Sequence, residues 1–211
     1  MGKYWGQRAG KFPSRQIQPP VTDRQGLALV EGIGPLRCWL VSENDEYVLQ
    51  IQPDRFYFNW RKRKTAYPHF NDYGGTEGVL SGSIREFETF AAFCGSELGH
   101  VPKPARVDLA KIDLLVQQQH WTDFRDLAKL LPVLKHVGKV IKSAEPSIQM
   151  KLFEVRETLE VHFQIASALA AADLTPAIQM ETRAAGDVGQ FALRDKFLAL
   201  NAAVNDIFFD M

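Results

Sequence analysis

Three strand-like runs joined by very short connections constrain this chain more than any other feature. Residues 36–42 and 47–52 are separated by Glu43-Asn44-Asp45-Glu46, and Pro53-Asp54 turns the second run into residues 55–62. A parallel crossover needs roughly a dozen residues, so these connections predict an antiparallel meander. Side chains alternate across a strand. Phe56, Phe58 and Trp60 therefore share a side with Leu49 and Ile51, which assigns that side to the core. The other side presents Gln50, Gln52, Arg55, Tyr57, Asn59 and Arg61, a set able to hydrogen-bond and stack with a ligand, a peptide or bases. Antiparallel sheets also commonly turn an ordinary polar face to water, and that is the competing reading.

The rest of the chain reads as helices and strands around this meander. Residues 4–12 suit a short helix, Pro13, Pro19 and Pro20 keep residues 13–20 extended, and residues 26–35 read as a loop or weak edge strand. Residues 73–82 form a glycine-rich connector. Ser83 with Glu86 three residues on has the form of a capping box, followed by Ile84, Phe87, Ala91, Cys94 and Leu98 at helical spacing up to Gly99. Residues 106–117 predict a long strand. Thr122 or Asp123 caps a further helix, which Pro132 should kink. Residues 149–158, 160–170 and 177–183 are three more strand candidates. The alanine-rich residues 166–172 are equally compatible with helix. A last helix runs from about 190 to 209. The order predicts an α+β fold in which an antiparallel sheet is built from two pseudo-repeats of helix, three strands and helix, at about 1–105 and 106–211. They belong to a single domain, joined by a central strand, with the helices mainly on one face.

Composition bounds the function. At 211 residues with 45% hydrophobic content, the chain fills a core without disulfides or a structural metal. Twenty-five basic residues balance 25 acidic ones, which excludes a bulk polycation and confines any nucleic-acid contact to a local patch. The patch is Arg61-Lys62-Arg63-Lys64, which also has the makings of a charged strand end that resists edge pairing. Cys38 and Cys94 lie in apolar patterns and read as buried thiols. His69, His100, His120, His136 and His162 lack metal-ligand spacing, and the chain has no nucleophile elbow, P-loop or dinucleotide fingerprint. No cofactor and no metal are expected. The absence of a span-length apolar run or a signal-like N-terminus makes cytoplasmic the expected location, with no membrane partner.

The segment from Gln50 to Arg61, QIQPDRFYFNWR, followed by Tyr67-Pro68, resembles the Gln-x-Gln-x-x-Arg-Phe-x-x-Asn-Trp-Arg … Tyr-Pro signature of a sporadically distributed, uncharacterised bacterial protein family. Phe87, Phe90 and Phe93 fit that family's aromatic-rich helix. Its members carry an additional strand before the first helix. They also have Tyr and Asn in the central strand, where this chain has Lys111 and Asp113, and a histidine in the last helix, where it has Asn201. The resemblance implies a bacterial protein and, by analogy, a TATA-binding-protein-like or helix-grip order of elements. It implies no chemistry.

Three functions are compatible with these readings. The foremost is a non-enzymatic binding module of a bacterial cytosolic system that holds a protein, such as a neighbouring gene's product, on the Tyr/Arg-bearing sheet face. The second is a saddle-like nucleic-acid binder using Arg55, Arg61, Arg63 and Lys64. The third is a ligand-binding or catalytic cavity between sheet and helices. A missing first strand further predicts an open sheet edge beside the central strand, suited to dimerisation.

Overall fold

Pro53-Asp54 closes the hairpin that pairs Gln52 with Arg55, and the first sheet grows outward from it. The computed structural model describes residues 2–19, 37–63, 66–131, 148–156, 158–170 and 174–209. These fall into two compact units, Met1–Lys103 and Pro104–Met211. The fold is α+β, with two four-stranded antiparallel sheets.

The first unit comprises α1 (Gly2–Arg8), β1 (Ser14–Gln18), β2 (Arg37–Val41), β3 (Tyr47–Gln52), β4 (Arg55–Trp60) and α2 (Val79–Leu98). Its sheet order is β1-β2-β3-β4. The meander is as expected, with Leu49 opposite Phe58 and Ile51 opposite Phe56. β1 extends it: the proline-flanked segment pairs along the whole of β2. The core joins Cys38, Leu40, Leu49 and Ile51 to Tyr4, Phe12, Phe93 and Cys94, and Phe56, Phe58 and Phe90 pack against it. Both thiols are buried, and burial raises their pKa, as befits inert core cysteines.

Helix α2 starts one turn before Ser83. Asp72 sets this start, accepting from the Gly78 N–H at 2.8 Å and the Ser81 hydroxyl at 2.9 Å. A Cβ at residue 78 would stand 2.4 Å from the Asn71 carbonyl carbon, so only glycine fits there. Glu86, freed from any capping role, is fully buried and binds Arg8, Lys11 (2.7 Å) and Arg85 (3.4 Å). The Arg8 and Lys11 contacts fix the end of α1 and the turn after it against α2. Gly99, at φ +68°, ends the helix as expected.

The second unit comprises β5 (Arg106–Val116), α3 (Phe124–Leu130), β6 (Gln149–Arg156), β7 (Leu159–Leu169), β8 (Pro176–Asp187) and α4 (Leu193–Phe209). Asp123 caps α3 in a reciprocal box with Asp126. The alanine-rich run resolves as strand through Leu169, since its alternation places Ile165 in the core and Ala166 opposite Gln179. The sheet order is β5-β8-β7-β6. Hydrogen bonding therefore builds two sheets, and β5 belongs to the second, bonded to β8. The fourth strand joins the first strand of the meander in one unit and the last in the other. Beneath α4 the core is Val107, Val161, Ala184, Leu200, Ala203 and Val204. The expected loop or strand at 26–35 and the kink at Pro132 lie outside the described residues.

Candidate functional site

The cross-strand register carries the polar face of the first sheet one strand further than β3 and β4. Trp39 stands opposite Gln50, and Gln50 opposite Tyr57. Arg37 and Trp39 of β2 thus share the face of Gln50, Gln52, Arg55, Tyr57 and Asn59. Alternation along residues 36–42 carries this signal, but it becomes legible only once the hairpin register is fixed. The face is not uniformly open. Val41 and Val48 on it are buried, Gln52 is nearly so, and every residue of β4 is half-buried.

The side chains on this face bond to one another. Arg37 Nη1 donates to Gln50 Oε1 at 3.0 Å, and its guanidinium lies 5.1 Å from the centre of the Trp39 ring. Arg55 Nη1 reaches the Tyr57 hydroxyl at 3.3 Å, Gln52 Nε2 donates to Asp54 Oδ1 at 2.7 Å, and Asn59 Nδ2 lies 3.4 Å from the Val48 carbonyl. Two donors are left over. Arg37 Nε and Trp39 Nε1 are buried atoms with no hydrogen-bond partner among the described residues. Among the described residues Tyr4 Oη, Arg8 Nε and Asn201 Oδ1 share that condition, with Tyr4 and Arg8 one turn apart on α1, whereas Arg37 and Trp39 place their two donors on a sheet face.

Arg61 and Arg63 serve a different purpose. Arg61 donates to the Asp45 carbonyl at 2.8 Å and to its carboxylate, and Arg63 Nε binds the same carboxylate at 2.7 Å. The hydrogen bond from Arg63, reinforced by both positive charges, holds the Asp45 pKa below the usual carboxylate value. Asp45 occupies the left-handed region at φ 60°, so the two arginines lock the β2–β3 turn. Lys64 lies outside the described residues. Trp60 meets Tyr67 edge-on at 4.9 Å, so the Tyr67-Pro68 segment packs against the end of β4.

The second unit offers two shallow features. Gln118, His120, Trp121, Thr122, Asp126 and Lys129 border an open depression of about 330 Å³. The Asp126 carboxylate there is occupied: the Lys129 ammonium and the capping N–H groups lower its pKa to about 2. A groove of about 250 Å³ runs between β6 and the end of α4. Lys111, one of the departures from the family pattern, donates to Asn205 of α4 at 2.5 Å, and burial lowers its pKa. Asp113 is exposed on the same side of β5. His162 is exposed beside Phe153, as expected of a residue on the outer face.

Among the described residues no group of three or more His, Cys, Asp or Glu side chains is placed to hold a metal ion. No described helix is long and apolar enough to cross a membrane. No family model, curated protein or solved structure matches this chain.

Proposed function

We propose that the chain is a non-enzymatic binding module whose first sheet holds a protein partner on the face formed by Arg37, Trp39, Gln50, Arg55, Tyr57 and Asn59. The observation that carries this reading is the pair of buried, unpartnered donors, Arg37 Nε and Trp39 Nε1. A buried donor without an acceptor costs roughly 1–3 kcal/mol, and such groups in native proteins call for an explanation. A partner that supplies carbonyl or carboxylate oxygens satisfies both once the side chains that cover them on this face move aside. Arg, Trp and Tyr are also the residue types on which protein interfaces concentrate their binding energy. Arg61 and Arg63 spend their charge on Asp45, which favours a protein over a nucleic acid. The filled core beneath α4 favours a surface over an enclosed cavity.

The wider reading is a bacterial cytosolic protein of the family its Gln50–Arg61 segment resembles, partnered by the product of a neighbouring gene. Its halves are pseudo-repeats, each a three-strand meander closed by a long helix. Native mass spectrometry of the chain isolated from its own cells tests the function. The expected result is a protein adduct that Tyr57→Ala removes while the thermal midpoint stays in place. Nucleic acid bound with an affinity that falls steeply with salt would overturn the reading in favour of the basic segment.

A further inference from the structure

β6 is the end strand of the second sheet, and its register fixes which of its backbone groups are free. Ser167 N–H donates to the Ile148 carbonyl at 2.8 Å, so the even-numbered residues of β6 bond to β7. The N–H and C=O groups of Gln149, Lys151, Phe153 and Val155 point away from the sheet, with no backbone partner among the described residues. Natural edge strands are usually blunted by proline, bulges, charge or a covering element. Here eight residues run without proline, and Leu152, Phe153 and Val155 are 53%, 60% and 61% exposed. Phe153 and Val155 lie on the outer face beside His162 and Glu160. Leu152 lies on the other face, where it borders the groove lined by Val161, Phe163 and Ile207.

We propose that this edge pairs with the same edge of a second copy, antiparallel about a two-fold axis normal to the sheet, so that the two sheets become one. The strand's own sequence selects a second copy as the occupant. Residues that face each other in such a pair must lie on the same face, so the register centres on a residue, and the centres in the middle of β6 are 152, 153 and 154. Centring on 154 sets Glu154 against Glu154, a like-charge pair that is destabilising. Centring on 153 sets Leu152 against Glu154. Centring on 152 sets Leu152 against Leu152, places Met150 opposite Glu154, and lays the Lys151 ammonium beside the Phe153 ring of the other copy. This register pairs all the outward backbone groups, because Lys151 then exchanges bonds with Phe153 and Gln149 with Val155. It also brings the second copy's Leu152 and Met150 over the groove. The inference is independent of the binding face on the first sheet.

Sedimentation of the full chain across micromolar concentrations, together with oxidation of a Leu152→Cys variant, tests it. The expected results are a mass twice 23.8 kDa and a disulfide-linked dimer of Leu152→Cys. Facing residues of a non-hydrogen-bonded pair have Cα atoms about 4.5 Å apart, within disulfide reach. Glu154→Cys, which would face Met150, should not crosslink. Val155→Pro removes an outward N–H and should return the mass to that of a monomer, and Phe153→Lys should do the same without altering the backbone. A monomer at every concentration would overturn the proposal. So would a dimer that neither crosslinks through residue 152 nor responds to Val155→Pro and Phe153→Lys.

Discussion

The two sheets of this chain dispose of their polar groups in opposite ways. On the outer face of the second sheet, Arg183 lies between Asp108 (4.0 Å) and Glu181 (3.3 Å), and Arg106 binds Glu160 (2.6 Å) and Asp187 (3.7 Å). These groups are partly exposed to water and mutually paired. The first unit buries a full carboxylate, Glu86 of α2, and its sheet leaves two N–H donors on the polar face without a partner among the described residues. A solvated face with paired charges asks nothing of a partner. A face with buried, unfilled donors is incomplete until an acceptor arrives, and that asymmetry is why function is assigned to the first sheet.

Substitutions and an acid titration sharpen this contrast, beginning with the largest expected effect. Phe163 is the most deeply buried aromatic of the second sheet's core, so Phe163→Ala should lower unfolding free energy by roughly 3–5 kcal/mol in a denaturant titration. Glu86→Ala leaves Arg8 and Lys11 without their shared carboxylate. Breaking a fully buried pair costs roughly 3–5 kcal/mol. Lys11 is 42% exposed and readily resolvated, so about 2–3 kcal/mol is expected here. Arg183→Ala on the second sheet should change stability by no more than about 0.5 kcal/mol. Equal losses for these two variants would erase the distinction between buried and surface charge.

Acid provides the next test. Burial works against the Glu86 carboxylate, but Lys11 and Arg8 outweigh it and hold its pKa below the ordinary 4.5. A carboxylate with a depressed folded-state pKa contributes its stability above the unfolded value and loses it as pH falls through the folded one. The wild-type thermal midpoint should therefore drop as pH falls below about 4.5. Glu86→Gln should show a shallower drop over the same range, and parallel curves would remove Glu86 from the account. The last effect is the most informative. Trp39→Phe keeps the ring beneath Arg37 and deletes the stranded indole N–H, so stability should rise by up to about 1 kcal/mol while partner capture falls. A destabilised variant would mean that the indole donor is satisfied within the folded chain.

Much of this architecture is legible in the sequence because the meander's turns and the 2-residue alternation act locally. Pro53-Asp54 and the apolar set Leu49, Ile51, Phe56 and Phe58 suffice to set the register and the buried side. β1 is hidden because prolines flank it and its polar side chains carry no strand pattern; its pairing with β2 is a tertiary event. The helix at Val79 begins early because Asp72, in the loop before it and outside the S/T-x-x-E pattern, supplies the acceptor. Glu86 at capping-box spacing misleads because its partners Arg8 and Lys11 lie some seventy-five residues away. Of the candidate site, Gln50, Gln52, Arg55, Tyr57 and Asn59 are placed together by alternation alone. Arg61 and Arg63 share the pattern, but the turn claims them through Asp45, a contact that alternation does not encode. Arg37 and Trp39 join the face only through the β2–β3 register.

The central claim is that the first sheet's polar face, and not the second's, holds a protein. Photocrosslinking with p-benzoylphenylalanine in place of Tyr57, and in parallel in place of Gln164 on the outer face of the second sheet, puts the two faces in direct competition. The account predicts a discrete protein adduct from position 57 that Trp39→Phe abolishes, and none from position 164. An adduct from position 164 alone, or a nucleic-acid adduct from position 57, would contradict it.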